Sequence, residues 1–185
     1  MATGSTVRFA SSLLIGAAIG VGSAHYMATP SNPLISERHG NWYTWPAGGA
    51  PDSSPYSQAY FLLRGHLPEH FTEATSMYRN RDDDGGRLSP DCVYLLNMTR
   101  PDARRWTLSL ADDEGAVSSV MTQDDVISTA GRIEVRLAAL PQPGNWLRFR
   151  EGGVRLVLRL YDGEDRLQQS ELDASLPTLR QESCS

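Results

Sequence analysis

The chain has 185 residues with 17 basic and 22 acidic side chains, a net charge of −5 and an isoelectric point near 5.3. That length suffices for one domain, which needs neither a metal nor a disulfide to fold. Its scattered basic residues, all of them arginine, argue against a nucleic-acid partner, because such a partner requires clustered cations. We also predict no cofactor.

An apolar run follows the first six residues: positions 7–27 read VRFASSLLIGAAIGVGSAHYM. About 20 apolar residues span a bilayer, so we predict a transmembrane anchor there. Arg8 lies at the start of the run, and no acidic residue occurs before Glu37. The positive-inside rule then keeps residues 1–6 in the cytoplasm and translocates the remainder. The sequence therefore predicts a single-pass inner-membrane protein with a periplasmic C-terminal domain.

Two alternatives stay open for residues 7–27. A cleaved signal peptide has the same basic start and apolar core, and the small residues at 22–24 form an acceptable cleavage site. A buried helix in a soluble protein is the other alternative, although its glycines are unfavourable in water. Gly16 and Gly20 have the spacing that lets two membrane helices approach closely, which gives a homodimer as a further hypothesis. The frequency of small residues in membrane helices explains the same spacing.

Residues 28–55 contain five prolines and three glycines, which predicts a linker without long regular elements. Trp42 and Trp45 interrupt it. They lie either at the membrane interface or under the following domain, and we favour the second position. The domain itself is expected to occupy residues 56–185 and to begin with a short helix over Tyr56–His66.

Short runs of alternating apolar and polar residues follow from position 70 onward, separated by turn residues. The clearest alternation covers residues 105–110, 133–138 and 154–161. This alternation directs one face of a strand to a core and the other to solvent or a partner. The pattern predicts a mainly β domain, an antiparallel β-sandwich or open barrel with one or two short helices.

One acidic segment has the outline of a calcium loop, with candidate oxygen ligands at Asn80, Asp82, Asp84 and Asp91 and a glycine at position 85. The first ligand is an amide, and the last is an aspartate where a bidentate glutamate is usual. No helices are predicted on either side. We therefore favour a polar turn, with a metal site as the second interpretation.

Several segments resemble one bacterial family, the domain of unknown function 1214, in its short membrane-anchored form. They are Arg104–Leu110, the turn ending at Gly115, Pro143–Leu147 and Leu156–Tyr161, preceded by Trp42–Pro46. Ala111 and Arg148 depart from the family, which often has an aromatic residue and a proline there; both positions are predicted strand ends. The resemblance covers roughly residues 40–184. It implies a β-rich envelope domain and no established reaction, so no catalytic residue is carried over.

Asn145 and Trp146 form the most distinctive pair in the C-terminal half. In one interpretation Trp146 fills the edge of the core while Asn145 supports a turn. In the other, Trp146 is a stacking platform in a cleft where Arg104 or Arg105 pairs with an anionic ligand. We favour the structural interpretation and keep all four residues as ligand-binding candidates.

Cys92 and Cys184 are the two cysteines of the chain. A domain outside the cytoplasm favours a disulfide between them. No motif for nucleophilic, zinc-hydrolase or phosphate-loop chemistry occurs. We therefore predict an envelope protein with a non-enzymatic binding or structural role, whose partner is another envelope protein or a glycolipid. The alternative is an envelope enzyme that acts on a carbohydrate or lipid.

Overall fold

The computed structural model describes residues 3–28, 32, 35–45, 48–63, 68–70, 72–112, 115–150, 154–161 and 176–184. Within these residues, two helices accompany eleven strands. The helices are α1 (Thr3–Met27) and α2 (Pro55–Leu63). The predicted helix over Tyr56–His66 is confirmed up to Leu63, and residues 64–67 lie outside the described part.

The strands form two sheets. The first has six strands in the order β1-β2-β3-β10-β5-β6. They are β1 (Glu37–His39), β2 (Trp42–Thr44), β3 (Thr75–Arg79), β5 (Arg105–Ala111), β6 (Val117–Thr122) and β10 (Arg155–Tyr161). The second sheet has the order β11-β4-β8-β7, with β9 also paired to β8. Its strands are β4 (Cys92–Thr99), β7 (Ser128–Thr129), β8 (Arg132–Ala138), β9 (Asn145–Arg148) and β11 (Thr178–Cys184).

The predicted mainly β, sandwich-like fold is confirmed, with one local departure. Among the described strands, β8 and β9 pair in parallel, with Val135 opposite Asn145 and Ala138 opposite Arg148. Parallel neighbours usually need a long crossover connection, but residues 139–144 are enough here because β9 begins opposite Val135, only three residues before β8 ends at Ala138. Alternation in sequence marks strands but not their direction, so this pairing was not predicted.

The main core cluster lies between the two sheets and follows the alternation of their strands. It consists of Trp42, Met77, Leu88, Cys92, Tyr94, Leu96, Met98, Trp106, Leu108, Leu110, Met121, Ile133, Val135, Leu137, Leu147, Phe149, Val154, Leu156, Leu158, Leu160 and Leu179. Both sheets contribute side chains to this cluster, so separating the two sheets would expose its apolar surface to water.

A second cluster, the outer aromatic cluster, lies on the other face of the six-stranded sheet. It consists of Tyr43, Trp45, Tyr60, Phe61, Tyr78, Ala111 and Val157. Helix α2 covers it: the Trp45 ring stacks on Tyr60 at 4.8 Å between centroids and meets Phe61 edge-on at 5.0 Å. Because β10 is covered on both faces, five of its seven residues are buried.

Residues 28–55, expected to be a linker and entry segment without long regular elements, contain two strands of three residues each, β1 and β2. Trp42 enters the main core cluster and Trp45 the outer aromatic cluster. Burial of two indole rings holds this proline-rich segment against the sheet. The favoured position of the two tryptophans, under the domain, is confirmed.

The turn after β2 packs closely on the segment before β3. Gly49 has φ +74, and a Cβ there would lie 2.7 Å from the carbonyl oxygen of Glu69. A larger residue would collide with backbone and take up a strained conformation, so the sequence needs glycine at this point. This contact brings residues 68–70 to the end of the sheet where β2 ends.

Candidate functional site

Helix α1 is exposed over residues 7–26. The span Val7–Met27 has 21 residues, a mean hydropathy of 1.5 over its most apolar window, and no burial against the rest of the protein. Its large apolar side chains are 60–73% exposed: Val7, Phe9, Leu13, Leu14, Ile15, Ile19, Val21 and Tyr26. By length and composition this helix can cross a membrane, and a signal sequence near an N-terminus has the same properties.

Three serines of α1 form hydrogen bonds within the helix. The hydroxyls of Ser11 and Ser12 donate to the carbonyl oxygens of Val7 and Arg8 at 2.8 and 3.0 Å. Ser23 donates in the same way to Gly20 at 3.0 Å. These three hydroxyls therefore have partners that do not depend on water, which suits hydrocarbon surroundings.

A compact junction joins α1 to the β domain. The amide group of Asn32 donates to the carbonyl oxygen of Met27 at 3.1 Å, which caps the helix end. The carbonyl oxygen of Asn32 in turn accepts from the backbone amides of Ile35 and Ser36, both at 3.2 Å. Asn32, Ile35 and Ser36 are each at most 5% exposed. One buried residue, Asn32, thus connects the last turn of α1, through its side chain, to the residues immediately before β1, through its backbone carbonyl.

The four ligand-binding candidates do not form one site in the described part of the chain. Asn145 is buried, and its side chain bonds only to backbone: its Oδ1 accepts from the Ile127 amide at 2.7 Å, while its Nδ2 donates to the carbonyls of Ile127 and Glu134, both at 2.8 Å. These bonds fasten the segment before β7 to β8 and β9. Asn145 therefore has the supporting role of the structural interpretation, though by bridging strands and not by closing a turn.

Trp146 lies half-buried in β9, beside β8, and its indole nitrogen donates to the carbonyl oxygen of Ala138 at 3.1 Å. Arg104 and Arg105 are exposed at the start of β5 in the other sheet. Among the described residues, no hydrogen bond or ion pair links either arginine to Trp146. The predicted pairing of an indole platform with an arginine anion site stays a prediction.

In the acidic segment at positions 80–91, the carboxylates of Asp82 and Asp91 accept hydrogen bonds from nearby groups of the protein. Asp82 is buried, its carboxylate accepts from the Gly86 amide at 2.7 Å, and a Cβ at Gly86 would lie 2.9 Å from it. Asp91 lies apart, where its carboxylate accepts from the hydroxyl of Ser89 at 3.2 Å. Asn80 bonds through its backbone carbonyl, and Asp84 is exposed. In the described ranges, no three His, Cys, Asp or Glu side chains converge to hold a metal ion. The calcium interpretation gains no support.

The same turn forms hydrogen bonds with the C-terminal strand, β11. The Asp83 amide donates to the Leu179 carbonyl at 2.8 Å, and the Asp83 carboxylate accepts from the Leu179 amide at 2.9 Å. The Trp42 indole and the buried Arg79 guanidinium both donate to the carbonyl oxygen of Pro177, at 2.9 and 3.3 Å. Arg79 also forms an ion pair with Asp83. We call these contacts of Trp42, Arg79 and Asp83 with the segment 177–179 the clasp. The sequence did not predict it because the residues that it joins are 96–135 positions apart.

The predicted disulfide is present in the structure. Cys92 and Cys184 lie opposite each other where β4 pairs with β11, and the bridge closes a separation of 92 residues. The clasp holds the beginning of β11, and the disulfide holds its end. No pairing other than this one is available, because the chain contains two cysteines.

A polar cluster borders the outer aromatic cluster. Glu69 Oε2 lies 3.7 Å from Arg159 Nε, and the Tyr161 hydroxyl donates to Glu69 Oε1 at 3.4 Å. Burial raises the pKa of the Tyr78 phenol, while a hydrogen bond with Ser76 and the nearby arginine charges oppose the rise. The contacts of Glu69 with Arg159 and Tyr161 hold residues 68–70 against β10. The buried phenol of Tyr78 lies in the neighbouring outer aromatic cluster.

A shallow cleft of about 90 Å³ lies between the β5–β6 turn and the residues that flank β10. Apolar side chains such as Leu110 and Phe149 line it, with Asp112 and Arg150 at its charged positions. It is much smaller than the roughly 300–1,000 Å³ of a typical small-molecule site. Neither the Asn145–Trp146 pair nor the arginines of the β4–β5 connection border it.

Comparisons with known proteins give a family but no activity. Two solved structures align with the chain, each with a TM-score of 0.49. The VPA0106 protein of Vibrio parahaemolyticus is 14% identical, over 68% of this chain and 34% of its own length. A protein of Burkholderia cenocepacia described as uncharacterized is 13% identical, over 88% of this chain and 40% of its own length.

The chain thus spans well under half of each of those proteins. No curated protein sequence matches it. Residues 73–165, half of the chain, match the family model described as "Protein of unknown function (DUF1214)". The match covers β3 to β10, which hold most of the main core cluster. The chain therefore belongs to the DUF1214 family of proteins of unknown function.

Proposed function

We propose that the chain is a single-pass inner-membrane protein whose β domain lies in the periplasm and binds another envelope component without catalysing a reaction. The observation that carries the proposal is the fully exposed apolar helix α1, with no part of Val7–Met27 buried. A helix that is apolar all round needs a cover other than water, and a bilayer supplies it.

The disulfide supports the periplasmic position of the domain. Cysteines stay reduced in the cytoplasm and form lasting bridges in the periplasm. Cys92 and Cys184 are bonded in the folded domain, so an oxidising compartment suits it. Arg8 at the start of α1 agrees with a cytoplasmic N-terminus.

The surface of the domain supports binding over catalysis. Its distinctive polar side chains bond to backbone, as in the Asn145 bridge and the Asp83 clasp. The cleft described above is small for a substrate pocket. A protein or glycolipid partner would instead contact the exposed surface, where affinity comes from a few central contacts.

The anchor is tested by placing a charge in α1 of the full-length protein. We expect the wild type to resist alkaline extraction from membranes and to keep its N-terminus, as mass spectrometry of the intact chain would report. Leu14→Arg lies at mid-helix and should release a large fraction, because a central arginine costs about 2.5–3.5 kcal/mol on insertion scales. Val7→Arg, beside Arg8, is the matched control and should stay in the membrane.

Two outcomes would contradict the anchor. One is a mature wild-type protein that begins near residue 25 and fractionates with soluble proteins. The other is equal retention of the Leu14→Arg and Val7→Arg variants. A separate experiment tests on which side of the membrane the domain lies. Without added reductant, Cys92 and Cys184 should not react with a membrane-permeant maleimide in intact cells, because they are bonded to each other. Rapid labelling of both cysteines would contradict the periplasmic position.

The binding role is tested by crosslinking and pull-down from detergent-solubilised membranes. Residues 1–27 fused to an unrelated soluble domain serve as the control for contacts made by the anchor alone. We expect a partner that the full-length protein retains and the control does not. The proposal fails if no such partner is recovered while the purified protein turns over a cell-wall or lipid substrate.

A further inference from the structure

Helix α2 has exposed apolar side chains on its outer side, next to the exposed Gln58, as well as buried aromatic ones on its inner side. Its nine residues, PYSQAYFLL, carry no charge. Tyr60 and Phe61 are buried in the outer aromatic cluster, whereas Leu62 and Leu63 are 72% and 78% exposed. Tyr56, two turns before Leu63 on the same side, is 40% exposed. Three exposed apolar side chains on one side of a nine-residue helix are typical of a surface that another apolar surface covers.

The position of α2 follows from its contacts with the six-stranded sheet. Phe61 meets the ring of Trp45, which directly follows β2. At that point Thr44, the last residue of β2, lies opposite Glu37, the first residue of β1. The C-terminal half of α2 therefore lies at the end of the sheet where β1 begins.

The same end of the sheet is where the anchor arrives. The Asn32 side chain bonds to the carbonyl oxygen of Met27, and its backbone carbonyl accepts from Ile35 and Ser36, just before β1. These short bonds leave little slack between the last turn of α1 and the sheet. If α1 crosses a bilayer, this end of the domain rests close to the bilayer surface.

We propose that Leu62 and Leu63 enter the interface of the same bilayer that α1 crosses, so that α2 is a second membrane contact. The inference rests on the proposed function, since it requires α1 to be in the membrane. Lipid suits this surface because it covers apolar side chains without specific shape and accepts a tyrosine at headgroup level. Continuity with the anchor distinguishes lipid from a second copy of the chain or another protein.

Leu140 provides a matched comparison at the other end of the domain. It is 74% exposed, like the two leucines of α2, but it follows the C-terminal end of β8. The other end of β8, at Arg132, pairs with Thr99 next to the β4–β5 connection, which leads to the sheet end occupied by α2. Leu140 therefore faces away from the bilayer in the proposed arrangement.

The experiment uses full-length protein in liposomes with one added cysteine at a time: Leu63→Cys, Leu140→Cys or Leu14→Cys. Each cysteine carries a nitrobenzoxadiazole fluorophore, attached without reductant so that the native disulfide stays closed. Lipids with a nitroxide at a shallow or a deep acyl position report contact with the bilayer. Circular dichroism confirms that each variant is folded.

We expect the Leu63 probe to emit at shorter wavelength than the Leu140 probe and to be quenched several-fold more strongly, mostly by the shallow nitroxide. The Leu14 probe should be quenched mostly by the deep one. A Leu63 probe in water, or shielded but not quenched by lipid, overturns the inference while deep quenching at Leu14 upholds the anchor. Absence of lipid quenching at Leu14 overturns the anchor itself.

Discussion

The two apolar clusters of the domain use the same sheet but are closed in different ways. Along β10, Leu156, Leu158 and Leu160 enter the main core cluster, while Val157 enters the outer aromatic cluster. The main core cluster is enclosed by a second sheet with six paired positions between β4 and β8. The outer aromatic cluster is covered by one helix of nine residues.

This difference separates folding from attachment. A cluster between two sheets involves most of the chain, so its loss is the loss of the fold. A cluster under a single helix can open locally while the sheets stay intact. The outer aromatic cluster also includes Trp45, close to the anchor junction. We therefore expect changes in the first cluster to lower global stability and changes in the second to alter mainly how α2 is held.

The largest effect is expected from truncating the main core cluster. Leu108 is fully buried at the centre of β5, opposite Leu158 and Met121. Leu108→Ala should lower the free energy of unfolding by about 2–5 kcal/mol, since both sheets prevent collapse around the cavity. Urea denaturation followed by tryptophan fluorescence measures the change. A loss no greater than that from Leu140→Ala, at an exposed position, would contradict the enclosed core.

The second largest loss of stability is expected from removing the disulfide. Changing Cys92 and Cys184 together to alanine removes a cross-link over 92 residues, and we expect a loss of about 2–4 kcal/mol. The clasp at Asp83 still holds the beginning of β11, so the strand should not detach completely. Reductant should lower the midpoint of wild-type denaturation to that of the double variant and leave the variant unchanged. A reductant effect of equal size on both would show that the bridge does not stabilise the domain.

The main core cluster could be predicted from sequence because it is built from alternation. The runs at 105–110 and 154–161 place their apolar residues on one face, and both became central strands. The outer aromatic cluster could be predicted only in part. Its tryptophan was placed under the domain, but prolines and glycines around it concealed β1 and β2, whose pairing depends on contacts with β3.

The candidate sites were harder to predict, because their roles depend on distant partners. The oxygen-rich pattern at 80–91 predicts a polar turn, with a metal site as the second interpretation, but it does not predict that Asp83 bonds to Leu179 or that Asp82 bonds to Gly86. Asn145 was expected beside a turn, but the groups it bonds to lie 11 and 18 residues away. Spacing along the chain could not supply these partners. The disulfide was predictable because the chain has a single pair of cysteines.

A smaller and local effect is expected from Phe61→Ala in the outer aromatic cluster. The change removes the ring that meets Trp45 and Tyr60, but its cost is limited to the docking free energy of α2, which we expect to be about 1–3 kcal/mol. Hydrogen exchange should accelerate in α2 and stay near wild type in β4 and β8. Equal acceleration in both regions would mean that the two clusters unfold as one unit.

The smallest effect, and the one specific to pH, is expected at Tyr78. Burial raises the pKa of this phenol above its ordinary 10.0, against the opposing influence of Ser76 and of the arginine charges. The folded state therefore holds the phenolic proton more tightly than the unfolded state. The resulting stabilisation is complete below pH 10 and is lost as the pH rises from there toward the folded pKa.

Tyr78→Phe removes that pH dependence together with one hydroxyl. At pH 7 we expect a loss of roughly 1 kcal/mol or less, the usual net contribution of one hydrogen bond. Between pH 9 and pH 11 the deficit should shrink and then reverse, because the wild type alone must release the buried proton. Melting temperatures across this range, measured in one detergent and compared with those of Tyr56→Phe at an exposed phenol, give the readout. A Tyr78→Phe deficit that stays constant to pH 11 would mean that the outer aromatic cluster already admits water at this ring, and that α2 covers it less tightly than its stacked contacts indicate.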